Sequence, residues 1–369
     1  MDFDLSADQI ALRDAAREFL DDQCPPSRVR AIYDAGTGWD PDLWRSMADL
    51  GWLGVAVPER DGGLGLGVVE LGVLLEEAGR HVVPVPLLPT LLAIEMFRRS
   101  ETRSDLEGEF ACFVDGSRTA CVVWSAGTSS VRATDTAAGW VLDGRSDPTV
   151  FAPVANVAIV VVAPASDPAG SGVFLVDLDV HGRPPIEPAM DLSRPLGWLA
   201  FSGTSATRLG GADLADFALD FGAATVALEL LGASDVALEL AVAYAKDRVQ
   251  FGRPIGSFQA VKHRCADMLV DVEGIRSSAY WAAWCLDVDD AERSIACSTA
   301  KTWAGDASKR VMAGALQVHG GIGFTWEHDL HLYLKRAHLD QLTFGDSVWH
   351  RTRLGAMLRA KVDAGLSVL

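Results

Sequence analysis

Two stretches in the last third of the chain decide the fold: Arg248-Val249-Gln250-Phe251-Gly252-Arg253-Pro254-Ile255-Gly256-Ser257-Phe258-Gln259 and Gln317-Val318-His319-Gly320-Gly321-Ile322-Gly323-Phe324. Each interrupts long helical patterns. In the first, a helix ends at Asp247-Arg248, the backbone turns at Gly252 and Pro254, and a new helix starts near Ser257. Such a corner offers an exposed guanidinium for a diphosphate, an aromatic ring for stacking, and unpaired N–H groups at a helix start. A plain helix–helix hairpin with Arg248 as a solvated terminal charge accounts for the same residues. In the second stretch, paired glycines allow close backbone approach to a diphosphate or adenosine, and Gln317 supplies directed hydrogen bonds. A helix C-capping turn explains a bare G-G-x-G equally well.

At 369 residues the chain is long for one compact core, so two or three domains are expected. Hydrophobic residues make up 49% and charged residues 22%, ordinary for a soluble globular protein. A formal net charge of −18 argues against nucleic acid or an anionic membrane as partner. Cys24, Cys112, Cys121, Cys265, Cys285 and Cys297 form no C-x-x-C pair and no metal spacing with histidine. Buried free thiols suit a reducing cytoplasm. The start Met1-Asp2-Phe3-Asp4 lacks a signal-peptide pattern, and no apolar run is long enough to span a bilayer, so a cytoplasmic protein is expected.

Residues 1–108 read as an N-terminal helical domain. Ser6-Ala7-Asp8-Gln9 is a capping-box pattern ahead of Ile10, Leu12, Ala15, Phe19 and Leu20. Further helices are expected from about Pro41 to Leu50 and from about Val68 to Gly79. The glycine-rich Pro58–Gly67 loop follows no strand of a βαβ unit and reads as a turn. Residues 109–215 read as a middle β domain, barrel-like or a sandwich. Cys121-Val122-Val123, Gly139–Leu142, Val157–Val162 and Gly172–Val176 are its strands, separated by turns such as Asp143-Gly144 and Ser166-Asp167-Pro168. Residues 216–369 read as an antiparallel four-helix bundle over about 222–247, 257–287, 290–315 and 345–366. The fold class is therefore α+β.

Helical, then β, then bundle, with the two opening stretches inside the bundle, closely resembles the acyl-CoA dehydrogenase family over essentially the whole chain. The first stretch is similar to that family's R-x-x-F-G-x-x-[IL]-x-x-x-Q segment, and the second to its glycine-pair segment, with Glu327 following. The resemblance implies FAD as cofactor. It implies that Arg248, Phe251, Gln259, Gln317, Gly320 and Gly321 contact the adenine–diphosphate end of an FAD shared with a neighbouring subunit.

Three departures set this chain apart from the pattern it resembles. The family's T-E-P-x-A-G-S-D loop becomes Val123-Trp124-Ser125-Ala126-Gly127-Thr128-Ser129-Ser130, without Glu-Pro or the closing Asp. Its W-I-[ST] strand against the flavin ring becomes Pro148-Thr149-Val150, so no contacts to the ring are assigned in this domain. Its catalytic Glu, in an E-G-T turn, is replaced in Phe344-Gly345-Asp346 by Phe344, and the alternative position early in the bundle is Gly222. Asp346 is a substitute base only if its shorter side chain reaches from two residues away; a helix N-cap before Ser347-Val348-Trp349 is the better reading. Asp220, near the other position, is weaker still. His263, His319, His328, His331, His338 and His350 lack metal-site spacing and read as solvated or packing residues, so no metal is assigned.

The resemblance thus implies one half of a shared site: FAD-dependent α,β-dehydrogenation of an acyl-CoA thioester, with a homologous catalytic subunit supplying flavin-ring pocket, acyl-CoA pocket and Glu. Such heteromeric actinobacterial enzymes oxidise CoA esters of bulky groups such as steroid side chains and assemble as heterotetramers. Electron-transfer flavoprotein, or a similar acceptor, is the implied oxidant. Two rivals are a self-sufficient homotetrameric dehydrogenase using Asp346, and a structural scaffold without flavin.

Overall fold

The computed structural model describes residues 4–124, 130–162 and 170–367. The chain opens with helices α1 (Ala7–Gln23), α2 (Pro26–Ala35), α3 (Pro41–Asp49), α4 (Val68–Arg80), α5 (Leu87–Arg98) and α6 (Glu107–Val114). Strands follow: β1 (Ala120–Val123), β2 (Arg132–Thr136), β3 (Gly139–Arg145), β4 (Thr149–Val150), β5 (Val157–Val162) and β6 (Gly172–Asp177). A short helix α7 (Leu178–His181) leads into β7 (Leu196–Gly197) and β8 (Ala200–Gly210). The long α8 (Ala212–Asp247) ends in a ribbon of β9 (Val249–Gln250) and β10 (Arg253–Pro254). Then come α9 (Gln259–Asp287), α10 (Arg293–His319), α11 (Leu330–Asp340) and α12 (Ser347–Asp363).

Local chemistry starts several of these helices. The Ser6 hydroxyl accepts from Gln9 N–H while the Gln9 side chain accepts from Ser6 N–H, a complete capping box at α1. Asp40 caps α3 by accepting from the backbone of Asp42 and Leu43, with Pro41 at the first helical position.

The residues group into two compact units. One comprises Arg28–Gly67 and Pro84–Gly222 and holds the sheet. Its six strands lie in the order β1-β5-β6-β8-β3-β2, with β1–β5 parallel and the other neighbours antiparallel. Among the described residues this sheet is open, not closed into a barrel. Cys121, Leu142, Val160, Phe174, Val176 and Phe201 form part of its core. Asp143-Gly144 is not the turn the dipeptide suggests. It lies inside β3 at a register shift against β8, where Gly144 has φ +118° and a Cβ would meet the Ser130 carbonyl at 2.2 Å. The Ser166-Asp167-Pro168 turn lies outside the described residues.

The other unit comprises Met1–Ser27, Val68–Val83 and Ala223–Leu369. Here α9 packs along α10, α12 on α10, and α4 on α1 and α9. The four long helices foreseen are α8, α9, α10 and α12, with α8 starting earlier, at Ala212. The 11-residue α11 was not foreseen. It carries the fully buried Arg336, which donates to Glu229 at 2.7 Å and to the carbonyls of Val82 and Val83. No helix among the described residues is long and apolar enough to cross a membrane.

Candidate functional site

The last turn of α8 and the last residue of α10 bring the two signature stretches together. Tyr244 stacks on His319 with ring centroids 4.8 Å apart, and Arg248 N–H donates to the Tyr244 carbonyl at 2.8 Å. His319 is buried, its Nδ1 hydrogen-bonded to the Ala315 carbonyl at 2.8 Å. Tyr244 and His319 are therefore the packing joint of this corner. Nothing in the local sequence marks Tyr244, and of the two roles open to His319, packing or solvated, the structure shows packing.

The ribbon after Arg248 closes with Ile255 N–H donating to the Arg248 carbonyl at 2.8 Å. Gln250 pairs with Arg253, leaving Phe251 and Gly252 as a two-residue turn with φ +52° and +77°. Such a turn prefers Asn-Gly, and a Phe in the left-handed region costs on the order of 1 kcal/mol. The Phe251 ring is 91% exposed and, among the described residues, meets the edge of the Phe258 ring at a centroid distance of 6.1 Å. A strained, exposed aromatic at a turn tip points to a surface that another molecule completes.

The remaining predicted groups share this exposure. Arg248, Gln259 and Gln317 are exposed, and their side chains form no hydrogen bond or ion pair among the described residues. Gly320 adopts φ 62°, ψ −139°, a region essentially reserved for glycine. A Cβ on Gly320 or Gly321 would meet nothing within 4 Å, so the turn presents bare backbone to open space. Unpaired guanidinium, exposed ring, two free carboxamides and bare glycines suit the diphosphate and adenosine of a dinucleotide.

The turn between α11 and α12 is different in character. Lys301 of α10 is fully buried and its Nζ donates to the carbonyls of Gln341 at 2.9 Å and Gly345 at 2.7 Å. His350 of α12 donates from Nε2 to the Phe344 carbonyl at 2.8 Å. Burial pulls the Lys301 amine down to about 7, against the raising influence of Asp340 and Asp346. Burial, helped by the charge of Lys301, pushes His350 down to about 3, so it stays neutral. Phe344 is buried in a left-handed conformation, φ +57°. Asp346 is the N-cap of α12, its carboxylate accepting from Trp349 N–H at 2.8 Å. Lys301 was missed in the sequence, although it falls on the apolar stripe of α10 four residues after Cys297 and three before Ala304.

Eighteen residues of α10 separate Lys301 from His319, about 27 Å of helix. The corner of Arg248, Phe251 and Gly320 and the turn bearing Phe344 thus lie toward opposite ends of one helix. Gly222 belongs to the other unit, on α8 beside the buried Asp220 and Phe221. In that unit the Thr149 hydroxyl is used internally, donating to the Asp147 carbonyl at 3.0 Å, and Val150 offers no side-chain donor. Residues 125–129 of the altered loop lie outside the described residues.

Residues 6–99 match the N-terminal domain of acyl-CoA dehydrogenases and residues 210–358 their C-terminal domain. The acyl-CoA dehydrogenase IpdE2 of Mycolicibacterium smegmatis is 35% identical over 335 residues, covering 90% of this chain and 93% of its own. The chain belongs to the acyl-CoA dehydrogenase family. FadE27 of Mycobacterium tuberculosis, another acyl-CoA dehydrogenase, is 31% identical over 372 residues, 97% of this chain and 99% of its own. Among solved structures, the ChsE4–ChsE5 complex of Mycobacterium tuberculosis superposes with a TM-score of 0.89 at 31% identity. It covers 97% of this chain and 99% of that one. The Tcur3481–Tcur3483 steroid ACAD gives 0.87 at 32%, covering 96% of this chain and 99% of that one. For this acyl-CoA dehydrogenase, then, the similar solved structures include assemblies of two different chains.

Proposed function

We propose that this chain is the FAD-tail-binding subunit of a heteromeric acyl-CoA dehydrogenase acting on the CoA ester of a steroid side chain or similarly bulky acid. FAD, when bound, supplies the hydride acceptor for α,β-dehydrogenation of the thioester. Arg248 pairs with the diphosphate, Phe251 packs against the adenosine end, Gln259 and Gln317 donate hydrogen bonds, and Gly320-Gly321 admits the backbone. A homologous subunit supplies the flavin-ring pocket, the acyl-CoA pocket and the Glu that takes the α-proton. Electron-transfer flavoprotein as acceptor and a heterotetramer in the cytoplasm belong to the same proposal, as do the domain limits 1–108, 109–215 and 216–369.

One observation carries the reading. The chain keeps every group of the dinucleotide corner, while the turn where the family places its base holds Phe344 at the critical position. Asp346, the carboxylate within that turn, is engaged as a helix cap. The Tcur3481–Tcur3483 assembly, a steroid ACAD, supports the substrate class.

The chain purified alone is expected to carry little or no FAD, and co-expression with the catalytic subunit to give a yellow complex. Stoichiometric flavin in the lone protein, bleached by an acyl-CoA, would refute the shared site and favour the self-sufficient homotetramer.

A further inference from the structure

Three rings from three different elements meet where the two signature stretches join. Tyr244 comes from the last turn of α8, His319 ends α10, and His328 lies just before α11. His319 is the middle ring. It stacks on Tyr244 with centroids 4.8 Å apart and meets His328 edge to face at 4.3 Å. His328 is fixed in turn, its Nδ1 accepting from Leu330 N–H at 3.1 Å in the first turn of α11. The glycine turn wraps the same residue: a Cβ on Gly323 would lie 2.9 Å from His319 Cβ. On the α8 side the Arg248 ribbon is held to its own helix. Arg248 N–H donates to the Tyr244 carbonyl, and a Cβ on Gly256 would lie 2.9 Å from the Ala245 carbonyl oxygen.

Histidine at 319 carries both a penalty and an advantage. The residue is buried, and its Nε2 has no hydrogen-bond partner among the described residues. A buried polar atom in that state is a penalty that leucine or methionine would avoid. The advantage is orientation. Nδ1–H donates to the Ala315 carbonyl one turn back at 2.8 Å, so the ring's direction is set by its own helix. An aliphatic side chain at the end of α10 has no such tether. A ring aimed in this way gives Tyr244 one face to stack on and His328 one place to meet it.

We propose that His319 is a positioning residue for FAD-tail binding, holding the Arg248 turn and the Gly320-Gly321 backbone at the spacing at which one diphosphate engages both. This rests on the shared-site reading above, and it adds that the two stretches bind as one unit and not as two independent patches. Two contacts to one ligand reinforce each other only when their separation matches it. The Arg248 ribbon is tied to α8 and the glycine turn to α10. Their separation is therefore set by how the two helices meet at this end, and Tyr244 on His319 is a contact between them there.

A double-variant cycle on FAD release tests this in the FAD-loaded complex with the co-expressed catalytic subunit, followed by flavin fluorescence after dilution. His319→Leu is expected to speed release about tenfold through misplacement of the corner. Arg248→Ala alone speeds it about tenfold or more. In the His319→Leu background the same change adds no more than about threefold, because the guanidinium is no longer held where the diphosphate meets it. Tyr244→Leu, at a half-buried position on the other helix, is expected to reproduce that loss of coupling, and it carries the test where His319→Leu fails to fold. Unchanged release in both single variants overturns the proposal. So does a full Arg248 effect in every background, since a residue that only stabilises the fold leaves the two effects to multiply. Both of those results leave the shared site standing. No effect of Arg248→Ala in the otherwise wild-type complex overturns the shared site and the positioning role together.

Discussion

Lys301→Met isolates the buried amine that holds the α11–α12 turn, and its signature is a pH dependence. The amine sits at about 7 in the folded chain against an ordinary value of 10.5. The folded value is depressed for a cationic group, so the unfolded chain binds more protons between those limits. Stability therefore rises with pH across that window, and the penalty of the buried charge is fully present below pH 7. Integrating the linkage relation for one group between pH 7 and pH 9 gives about 2 kcal/mol. The neutral amine keeps two N–H donors, enough for the Gln341 and Gly345 carbonyls it already contacts. Methionine fills the space but leaves those carbonyls unpaired, at a cost of about 1–3 kcal/mol each. Urea titrations of wild type and Lys301→Met at pH 7, 8 and 9 measure the difference, from which all other titrating groups cancel. The gap is expected to widen by about 2 kcal/mol in favour of the wild type from pH 7 to pH 9. Parallel curves would refute the reasoning, because Lys301 would then remain charged in the fold across the whole range.

Three further outcomes follow from the geometry. In the loaded complex, Arg248→Ala is expected to weaken FAD retention by about 1.5–3 kcal/mol, and Gln317→Ala by less, since its hydrogen bond is neutral; unchanged flavin occupancy in the double variant would make both residues structural. Asp346→Asn keeps a good N-cap and is expected to leave thermal stability and acyl-CoA bleaching of the flavin nearly intact; a loss of the order of 10²–10⁴ in stopped-flow reduction with FAD still bound would make Asp346 the base. Arg336→Met strands Glu229 and is expected to destabilise the chain by about 3–5 kcal/mol; if adding Glu229→Leu to it recovers none of that loss, the pair is not the source.

The sequence carried the long elements and concealed those whose inner faces are polar. α8, α9, α10 and α12 announce themselves by apolar periodicity, and β5 by an unbroken apolar run of mostly β-branched residues. α11 does not, because Arg336 and Asp340 occupy two of its six buried positions and break the stripe. Arg336 is stabilised there by Glu229, 107 residues earlier, a partner that no local pattern contains. β8 was invisible for a related reason: Ala200–Gly210 is rich in Ser, Thr and Gly, and only three of its eleven residues are buried. The candidate residues for the FAD tail could be named from the sequence because they are close together within each stretch. The joint between the stretches could not, since Tyr244 and His319 meet only through the packing of α8 and α10.

The turn at Phe344, where the family resemblance places the base, holds its shape without using the side chain at 344 in its hydrogen bonds. Its backbone is fixed from outside, by Lys301 on the carbonyls of residues 341 and 345 and by His350 on that of 344. Gly345 has φ +94°, and a Cβ there would meet the Trp349 ring at 2.9 Å, so that position admits glycine alone. Asp346 must cap α12, and its carboxylate already faces Trp349 N–H. Among residues 344–346, then, only the side chain at 344 is not required by these contacts. Replacing a carboxylate there removes the proton acceptor without disturbing the clamp or the cap. The consequence is measurable: Phe344→Glu keeps the backbone contacts of Lys301 and His350 and, because Phe344 is buried, should lower the urea midpoint through lost apolar burial and a buried carboxylate. It should not by itself bleach flavin in the lone chain, because the Thr149 hydroxyl remains committed to Asp147 and Val150 supplies no donor to the ring. Flavin reduction by Phe344→Glu alone would show that this chain still owns a complete site, and the division of labour proposed here would fall.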